Sequence, residues 1–242
     1  MTKSALIVGA GDATGGAIAK AFAREGYAAC VNRRSRNIDQ LNALVQSIRD
    51  EGFTAHAYPA DARIEDEVQK MVDAIENDVG SIEVAVFNIG ANVNFSVLDT
   101  TAQVYRKVWE MAAFAGFLMG REVAKRMVER QSGTIIFTGA TASLRGGRGF
   151  SAFSGAKGAL RMLAQSMARE LGPHNIHVAH VIIDGGIDTD FIRSIHPDFD
   201  SAKANDKVLS PDAIAAQYVS IHKQHRSAWT HEMDLRPWAE TF

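Results

Sequence analysis

The chain has 242 residues, 46% hydrophobic and 22% charged, and its 26 Lys and Arg against 28 Asp and Glu give a formal net charge of -2. That length reads as one domain over residues 1–242, and the balanced charge leaves no basic surplus to hold a nucleic-acid backbone or an anionic membrane surface. Apolar runs such as Ala5 to Val8 and Val84 to Phe87 fall far short of the roughly 20 residues of a spanning helix, Cys30 has no partner for an internal disulfide, and the opening residues lack a signal-peptide pattern, so the expected compartment is the cytoplasm.

Short apolar runs alternate with longer segments of helical spacing, the signature of repeated strand-helix-strand units and a parallel sheet. Strands are predicted at 4–9, 27–32, 53–58, 82–88, 133–138, 175–183 and 229–235. Between them Ile18, Phe22 and Ala23, then Leu41, Leu44, Val45 and Ile48, then Val68, Met71, Val72 and Ile75 recur at three-to-four spacing, so each helix turns one face to the sheet. Two longer helices are predicted over 102–130 and 153–172. The fold class is α/β: a Rossmann-type, doubly wound, seven-stranded and mostly parallel sheet with helices on both faces. Such sheets bind ligands beyond the carboxyl ends of their strands. Residues 190–209, polar and poorly periodic, form the one excursion.

The motifs fall at those strand ends. Val8-Gly9-Ala10-Gly11-Asp12-Ala13-Thr14-Gly15-Gly16 is a tight strand-to-helix turn that would present free N–H groups to a pyrophosphate, or would merely pack helix on strand. Strand two ends in Asn32-Arg33-Arg34-Ser35-Arg36, strand three in Asp61-Ala62, and strand four in Asn88-Ile89-Gly90-Ala91. Further on come Thr138-Gly139-Ala140-Thr141-Ala142-Ser143, Phe153-Ser154-Gly155-Ala156-Lys157 and Asp184-Gly185-Gly186-Ile187-Asp188-Thr189. His177 and His180 lie three apart on one strand and point to opposite faces, so no metal site is expected. Neither a Ser-His-Asp nor a Cys-His arrangement suggests hydrolysis.

From Ser4 to about Thr230 this layout resembles the short-chain dehydrogenase/reductase family, and residues 190–209 match its substrate-covering loop in position. The resemblance implies a nicotinamide dinucleotide held by Gly9, Gly11, Thr14, Gly15, Arg33, Arg34, Asp61, Ala62, Asn88, Gly90, Lys157, Gly185 and Thr189, with a small carbonyl or alcohol as substrate. Arg33 stands where NAD users carry an acid and Arg34 where NADP users carry arginine, so NADP(H) is favoured over NAD(H), although the arginines could also be a solvated helix start. Against this, Asp12 occupies a place often basic in NADP users. The middle glycine of the turn has become Ala13, the proline before Gly185 has become Asp184, and one extra residue between Ile176 and Thr189 would be absorbed as a bulge.

The catalytic positions depart further. Lys157 remains, to hold the ribose or to sit in water, but Phe153 takes the place of the tyrosine acid, Ala140 that of the serine and Ala112 that of the asparagine. Phe153 and the two alanines together would leave an apolar pocket with no unpaired polar group. Thr141, Ser143, Ser154 and Asp184 could supply a substitute donor or serve only as turn caps and backbone partners. The leading expectation is an NADP-dependent oxidoreductase with an atypical site; the alternatives are a nucleotide-binding or regulatory protein without turnover, and non-redox chemistry on a carbonyl ligand. The apolar surface of the two long helices, including Trp109, Phe114 and Phe117, predicts a homodimer or homotetramer, and Trp238 and Phe242 could reach a neighbouring subunit or close the pocket.

Overall fold

The computed structural model describes residues 2–11, 13–195 and 197–240. Seven strands form one sheet: β1 Thr2–Val8, β2 Ala28–Arg33, β3 Ala55–Pro59, β4 Gly80–Phe87, β5 Gly133–Thr138, β6 Ile176–Ile183 and β7 Glu232–Leu235. Their order is β3-β2-β1-β4-β5-β6-β7 and every pairing is parallel. The reversal of order between β1 and β4 is the topological switch point. Parallel strands covered on both faces read as continuous apolar runs, and Ala5 to Val8 is such a run, buried along its whole length.

Alternate residues of each strand divide between two cores. Ala5, Ile7, Val31 and Val86 face α1 (Thr14–Arg24) and α2 (Ile38–Asp50). Leu6, Val8, Phe87 and Phe137 face the opposite layer, built from α3 (Glu65–Asp78), α5 (Ala115–Arg130) and α6 (Ser151–Leu171). On the α1 side, α9 (Pro211–His222) adds Ile214 and the fully buried Tyr218. The helical spacing of the apolar residues in the sequence lands on these two faces.

The helix predicted over 102–130 is interrupted. It divides into α4 (Ala102–Trp109), a π-helical segment Glu110–Phe114, and α5. Single π turns widen a helix locally and recur at functional sites. This one carries Ala112, buried against the start of α6 in a small cluster with Val108, Ala152, Phe153 and Ala156. The predicted irregular stretch 190–209 likewise contains two short helices, α7 (Asp190–Ile195) and α8 (Phe199–Ala204), ahead of a bridge between Ile187 and Leu209.

The extra residue after Ile176 does not bulge β6. The strand stays in register with β5 and β7 to its end, and Asp184 N still donates to Leu235 O at 2.8 Å. The chain turns instead at Gly185, whose φ of +148° is open to glycine. The last strand is shorter than predicted because Trp229 leaves the ladder to stack on His177, rings 4.8 Å apart. Asp12 and Phe242, both given roles above, lie outside the described residues.

Candidate functional site

A groove runs along the carboxyl ends of the strands, in two parts that share Asn88, Ile89 and Gly90 as a common wall. The smaller part, about 210 Å³, lies over β1 to β3 and is lined by Gly9, Gly11, Arg33, Arg34, Asp61 and Ala62. The larger, about 560 Å³, lies over β4 to β6 and is lined by Thr14, Ala140, Thr141, Phe153, Lys157, Gly185 and Thr189 among others. Fifteen of the sixteen residues expected to hold cofactor or carry chemistry therefore converge on one groove, Gly15 being the exception, while the further candidates Ala112, Ser143 and Asp184 do not line it. Gly15 packs beneath it: a Cβ there would stand 2.5 Å from Gly9 O, so only glycine lets α1 approach β1 this closely.

The turn after β1 is shaped for a ligand to approach its backbone. Gly9 has φ +87°, and Asn88 Nδ2 donates to its carbonyl at 3.1 Å, tying the ends of β1 and β4 together. A Cβ built on Gly11 or Gly90 meets nothing within 4 Å, so both face open space. Ala13 lines an adjoining hollow beside α1 and α2 that meets the larger part of the groove at Thr189 and Phe191.

At the β2–β3 end of the groove, Asp61 is occupied by its own neighbour. Arg63 Nη2 lies 2.5 Å from Asp61 Oδ2, and this hydrogen-bonded pairing holds the Asp61 carboxyl below its usual range. Arg34 lines the same hollow, and burial lowers its pKa, with Arg36 adding to the effect. Sequence reasoning missed Asn32, which is buried and donates to Tyr58 O and Ala60 O at 2.8 and 3.0 Å. An amide in an otherwise apolar strand was the available signal.

In the larger part, Lys157 is 2% exposed and donates to Ile89 O at 3.0 Å and Thr138 O at 2.8 Å. It is not in open water. Burial pulls its ammonium down to about 7, and its Nζ lies 5.9 Å from the centre of the Phe153 ring. Phe153, Ala112 and Ala140 belong to one apolar cluster, as the sequence predicts. The prediction that this pocket leaves no unpaired polar group fails, however. Ser154 Oγ and Asp184 Oδ2 are buried with no hydrogen-bond partner among the described residues, and Ser154 lines the cleft. The other candidates separate cleanly. Ser143 Oγ accepts from Ala140 N at 3.1 Å and so caps its turn, and Thr189 Oγ1 accepts from Ile192 N at 3.1 Å at the start of α7. Thr141 Oγ1 donates to Asp184 Oδ1 at 2.5 Å.

Arg145, Asn92, Phe150 and Phe191 also line the cleft and were not anticipated. Arg145, Asn92 and Phe150 stand on irregular segments and Phe191 on the six-residue α7, where periodicity carries little information. Trp238, expected to close the pocket or reach a partner, lies outside the cleft lining, donates to Asn205 O at 3.0 Å and is 76% exposed, and Pro237 packs against Gly185. No group of three or more His, Cys, Asp or Glu among the described residues could hold a metal ion, and no described helix is long and apolar enough to cross a membrane.

A doubly wound parallel sheet with a groove at its switch point and a buried lysine on the wall defines a Rossmann-type ligand-binding protein. Residues 3–199 match the short chain dehydrogenase family, and the chain belongs to it. Among its relatives, the 2-dehydro-3-deoxy-D-gluconate 5-dehydrogenase of Formosa agariphila is 32% identical over 176 residues, covering 73% of this chain and 66% of that protein. The 5-keto-D-gluconate 5-reductase of Escherichia coli is 28% identical over 196 residues, covering 81% and 76%. The crystal structure of a short-chain dehydrogenase from Rhodopseudomonas palustris is similar over 98% of this chain and 99% of that one, with 46% identity and a TM-score of 0.83.

Proposed function

We propose that the protein is a nicotinamide-dependent oxidoreductase, acting on a small alcohol or carbonyl compound through an atypical site. The observation that carries this reading is the single groove joining Arg33 and Arg34 at one end to Lys157 at the other. The residues present fit a dinucleotide. Gly11 and Gly90 offer bare backbone facing open space, where a phosphate and a ring could approach closely. Arg34 would meet a ribose 2′-phosphate, which favours NADP(H) over NAD(H). Gly9, Thr14 and Gly15 would shape the pyrophosphate turn, Asn88 and Ala62 would flank the adenine side, and Gly185 and Thr189 would edge the nicotinamide side. Asp61 acts there through its backbone, because its carboxylate is already paired.

When bound, such a cofactor supplies a hydride donor or acceptor. The chain's own part is to hold the reacting oxygen and to move one proton. Phe153 and Ala140, at the family's tyrosine and serine places, have no hydrogen to give, and the hydroxyls on the cleft wall next to them in sequence are Thr141, beside Ala140, and Ser154, beside Phe153. Lys157 is anchored to two backbone carbonyls and keeps one N–H for a ribose hydroxyl. The named relatives act on sugar acids, and the charged residues lining the cleft are Arg145 and Lys157, both cationic, so hydroxy and keto acids head the substrate panel.

A binding protein without turnover is the second reading, supported by the apolar packing of Phe153, Ala112 and Ala140 in one cluster. Calorimetric titration with NADPH and NADH, followed by a panel of carbonyl acids and alcohols, separates the two. Binding with turnover supports the first, binding alone the second, and no binding removes both. The assembly proposed is a homo-oligomer through α4 and α5, where Trp109, Phe114 and Phe117 stack with ring centres 5.7 and 6.1 Å apart while Trp109 and Phe117 remain exposed. Phe117→Glu should shift the protein to monomer in size-exclusion chromatography.

A further inference from the structure

One carboxylate stands beside the cleft at a place where an apolar residue would be the less costly choice. Asp184 follows the last residue of β6 and is 1% exposed. Thr141 Oγ1 donates to its Oδ1 at 2.5 Å, Arg145 Nη2 lies 3.7 Å from the same oxygen, and Oδ2 has no partner among the described residues. Removing an ionised carboxylate from water costs several kcal/mol unless partners offset it, and one hydroxyl with a guanidinium at the edge of contact offsets it poorly. Such a half-supported charge is retained for what it does to its neighbour.

The neighbour is Thr141, on the cleft wall. A threonine hydroxyl has a single hydrogen, and here that hydrogen is committed to Asp184. What Thr141 presents to the cleft is therefore a lone pair. It is placed to accept from a substrate hydroxyl, and a carbonyl oxygen would find no donor there. Around it, the side chains of Ala140 and Phe153 offer neither donor nor acceptor, Ser143 accepts within its own turn, and Ser154 Oγ, without a partner among the described residues, is the rival hydroxyl on the cleft wall.

We infer that Thr141 and Asp184 form a proton-accepting pair that runs this cleft in the direction of alcohol oxidation. The inference rests on the oxidoreductase reading above and adds a direction and a route for the proton. The carbinol C–H bond breaks and its electron pair leaves with the hydrogen as hydride to an oxidised nicotinamide dinucleotide. The substrate O–H proton passes to Thr141 Oγ1 as the hydroxyl proton of Thr141 passes to Asp184 Oδ1, and the C=O bond forms. Alcohol is oxidised, nicotinamide is reduced, and Asp184 carries the proton until the ketone leaves and water reopens the path through Thr141. Ketone reduction by this route requires Asp184 to be protonated beforehand.

The test uses the full chain with NADP+ and, in turn, D-gluconate, glycerol and cyclohexanol, against Thr141→Val, Thr141→Ser, Asp184→Asn and Ser154→Ala. NADPH affinity by calorimetry and melting temperature are measured for each variant. The expected result is oxidation of at least one probe, with kcat reduced roughly 100-fold or more by Thr141→Val and Asp184→Asn, the range of a general base. KM, NADPH affinity and melting should be nearly unchanged in both, Thr141→Ser should restore most of the rate, and deuterium oxide should slow the wild type. Infrared difference spectra of wild type against Asp184→Asn, taken without any ligand, should show a carboxylate band that Thr141→Val shifts. Oxidation that survives Thr141→Val and Asp184→Asn, or that is lost in Ser154→Ala instead, overturns the pair while the oxidoreductase reading stands. NADPH binding with no oxidation in wild type, but activity gained by Phe153→Tyr with Ala140→Ser, overturns the pair as well. Absence of NADPH and NADH binding overturns the oxidoreductase reading and the pair with it.

Discussion

The two parts of the groove differ in what fills them. Over β1 to β3 the walls are backbone and cation: Gly9, Gly11, Arg33 and Arg34, with Asn88 bracing the turn from β4. Over β4 to β6 the positions that would do chemistry are aromatic and aliphatic, and Phe153, Ala112 and Ala140 pack into one cluster. The first part is walled mainly by backbone and cation, the second mainly by apolar side chains. Lys157 joins them, since its two hydrogen bonds go to Ile89 on the shared wall and to Thr138 at the end of β5. A binding surface built mainly from backbone tolerates little change, whereas a wall built from side chains can be refilled without moving the sheet.

The largest expected effect tests that contrast directly. Phe153→Tyr combined with Ala140→Ser places a phenol near Lys157 Nζ and a hydroxyl at the end of β5. Because a positioned general acid contributes roughly 10²- to 10⁴-fold, NADPH-dependent ketone reduction should rise by at least about 100-fold over wild type. NADPH affinity should stay within a few-fold. No gain in rate with intact binding would mean that the two parts differ in backbone geometry as well as in side chains.

Lys157→Met attacks the joint between them. It leaves the Ile89 and Thr138 carbonyls without a donor, at roughly 1–3 kcal/mol each, and removes the N–H proposed for the ribose. Urea unfolding should show a loss of about 2–5 kcal/mol, and calorimetry a loss of NADPH affinity of roughly 10-fold or more. Retained affinity would assign Lys157 to the fold alone.

A smaller effect is expected at the other end. A charge-assisted hydrogen bond to phosphate is worth about 1.5–3 kcal/mol, so Arg34→Ala should weaken NADPH roughly 10- to 100-fold and leave NADH within about two-fold. Equal loss for both would assign Arg34 to the adenine side without a phosphate contact.

The sheet was legible because each strand is an apolar run bounded by a turn signal, and the strand ends therefore located the groove. The residues of the smaller hollow were legible for the same reason: Gly9, Arg34 and Asn88 follow strands and Arg33 ends one, so the backbone fixes where they go. The Thr141–Asp184 pair was only half legible. Both residues were candidates, but they are 43 positions apart and meet because β5 and β6 are neighbours in register, which composition and periodicity do not encode. The π segment at Ala112 was not legible at all, since a continuous apolar pattern runs through it.

Acid should separate the two parts by stability. His180 on β6 is fully buried below Gly139, where a Cβ would collide with its Nε2, and its Nδ1 lies 3.0 Å from Glu232 Oε2. Burial lowers its pKa to about 4, a drop that the Glu232 hydrogen bond only partly offsets. Burial lowers His222 to about 4 as well, between Tyr27 and Thr134. Both rings are neutral in the fold, while in the unfolded chain they take up a proton near pH 6.5. Between about pH 6.5 and about pH 4 the unfolded state thus binds more protons, so stability is full above this window and falls as pH drops through it. Each ring sets a limiting slope of about 1.4 kcal/mol per pH unit. Urea melts from about pH 7.5 down to about pH 5 should show this decline, and His180→Asn should flatten it in part, leaving His222, with His177 and His56, whose burial also lowers their pKa, to account for the rest. Amide exchange resolves where the loss occurs. The β5–β6–β7 edge carries His180, whereas the one histidine among β1 to β3, His56, is only partly buried. Acid should therefore speed exchange in β6 and β7 before β1 and β2, and uniform exchange across the sheet would mean that the refilled part and the binding part open as one cooperative unit.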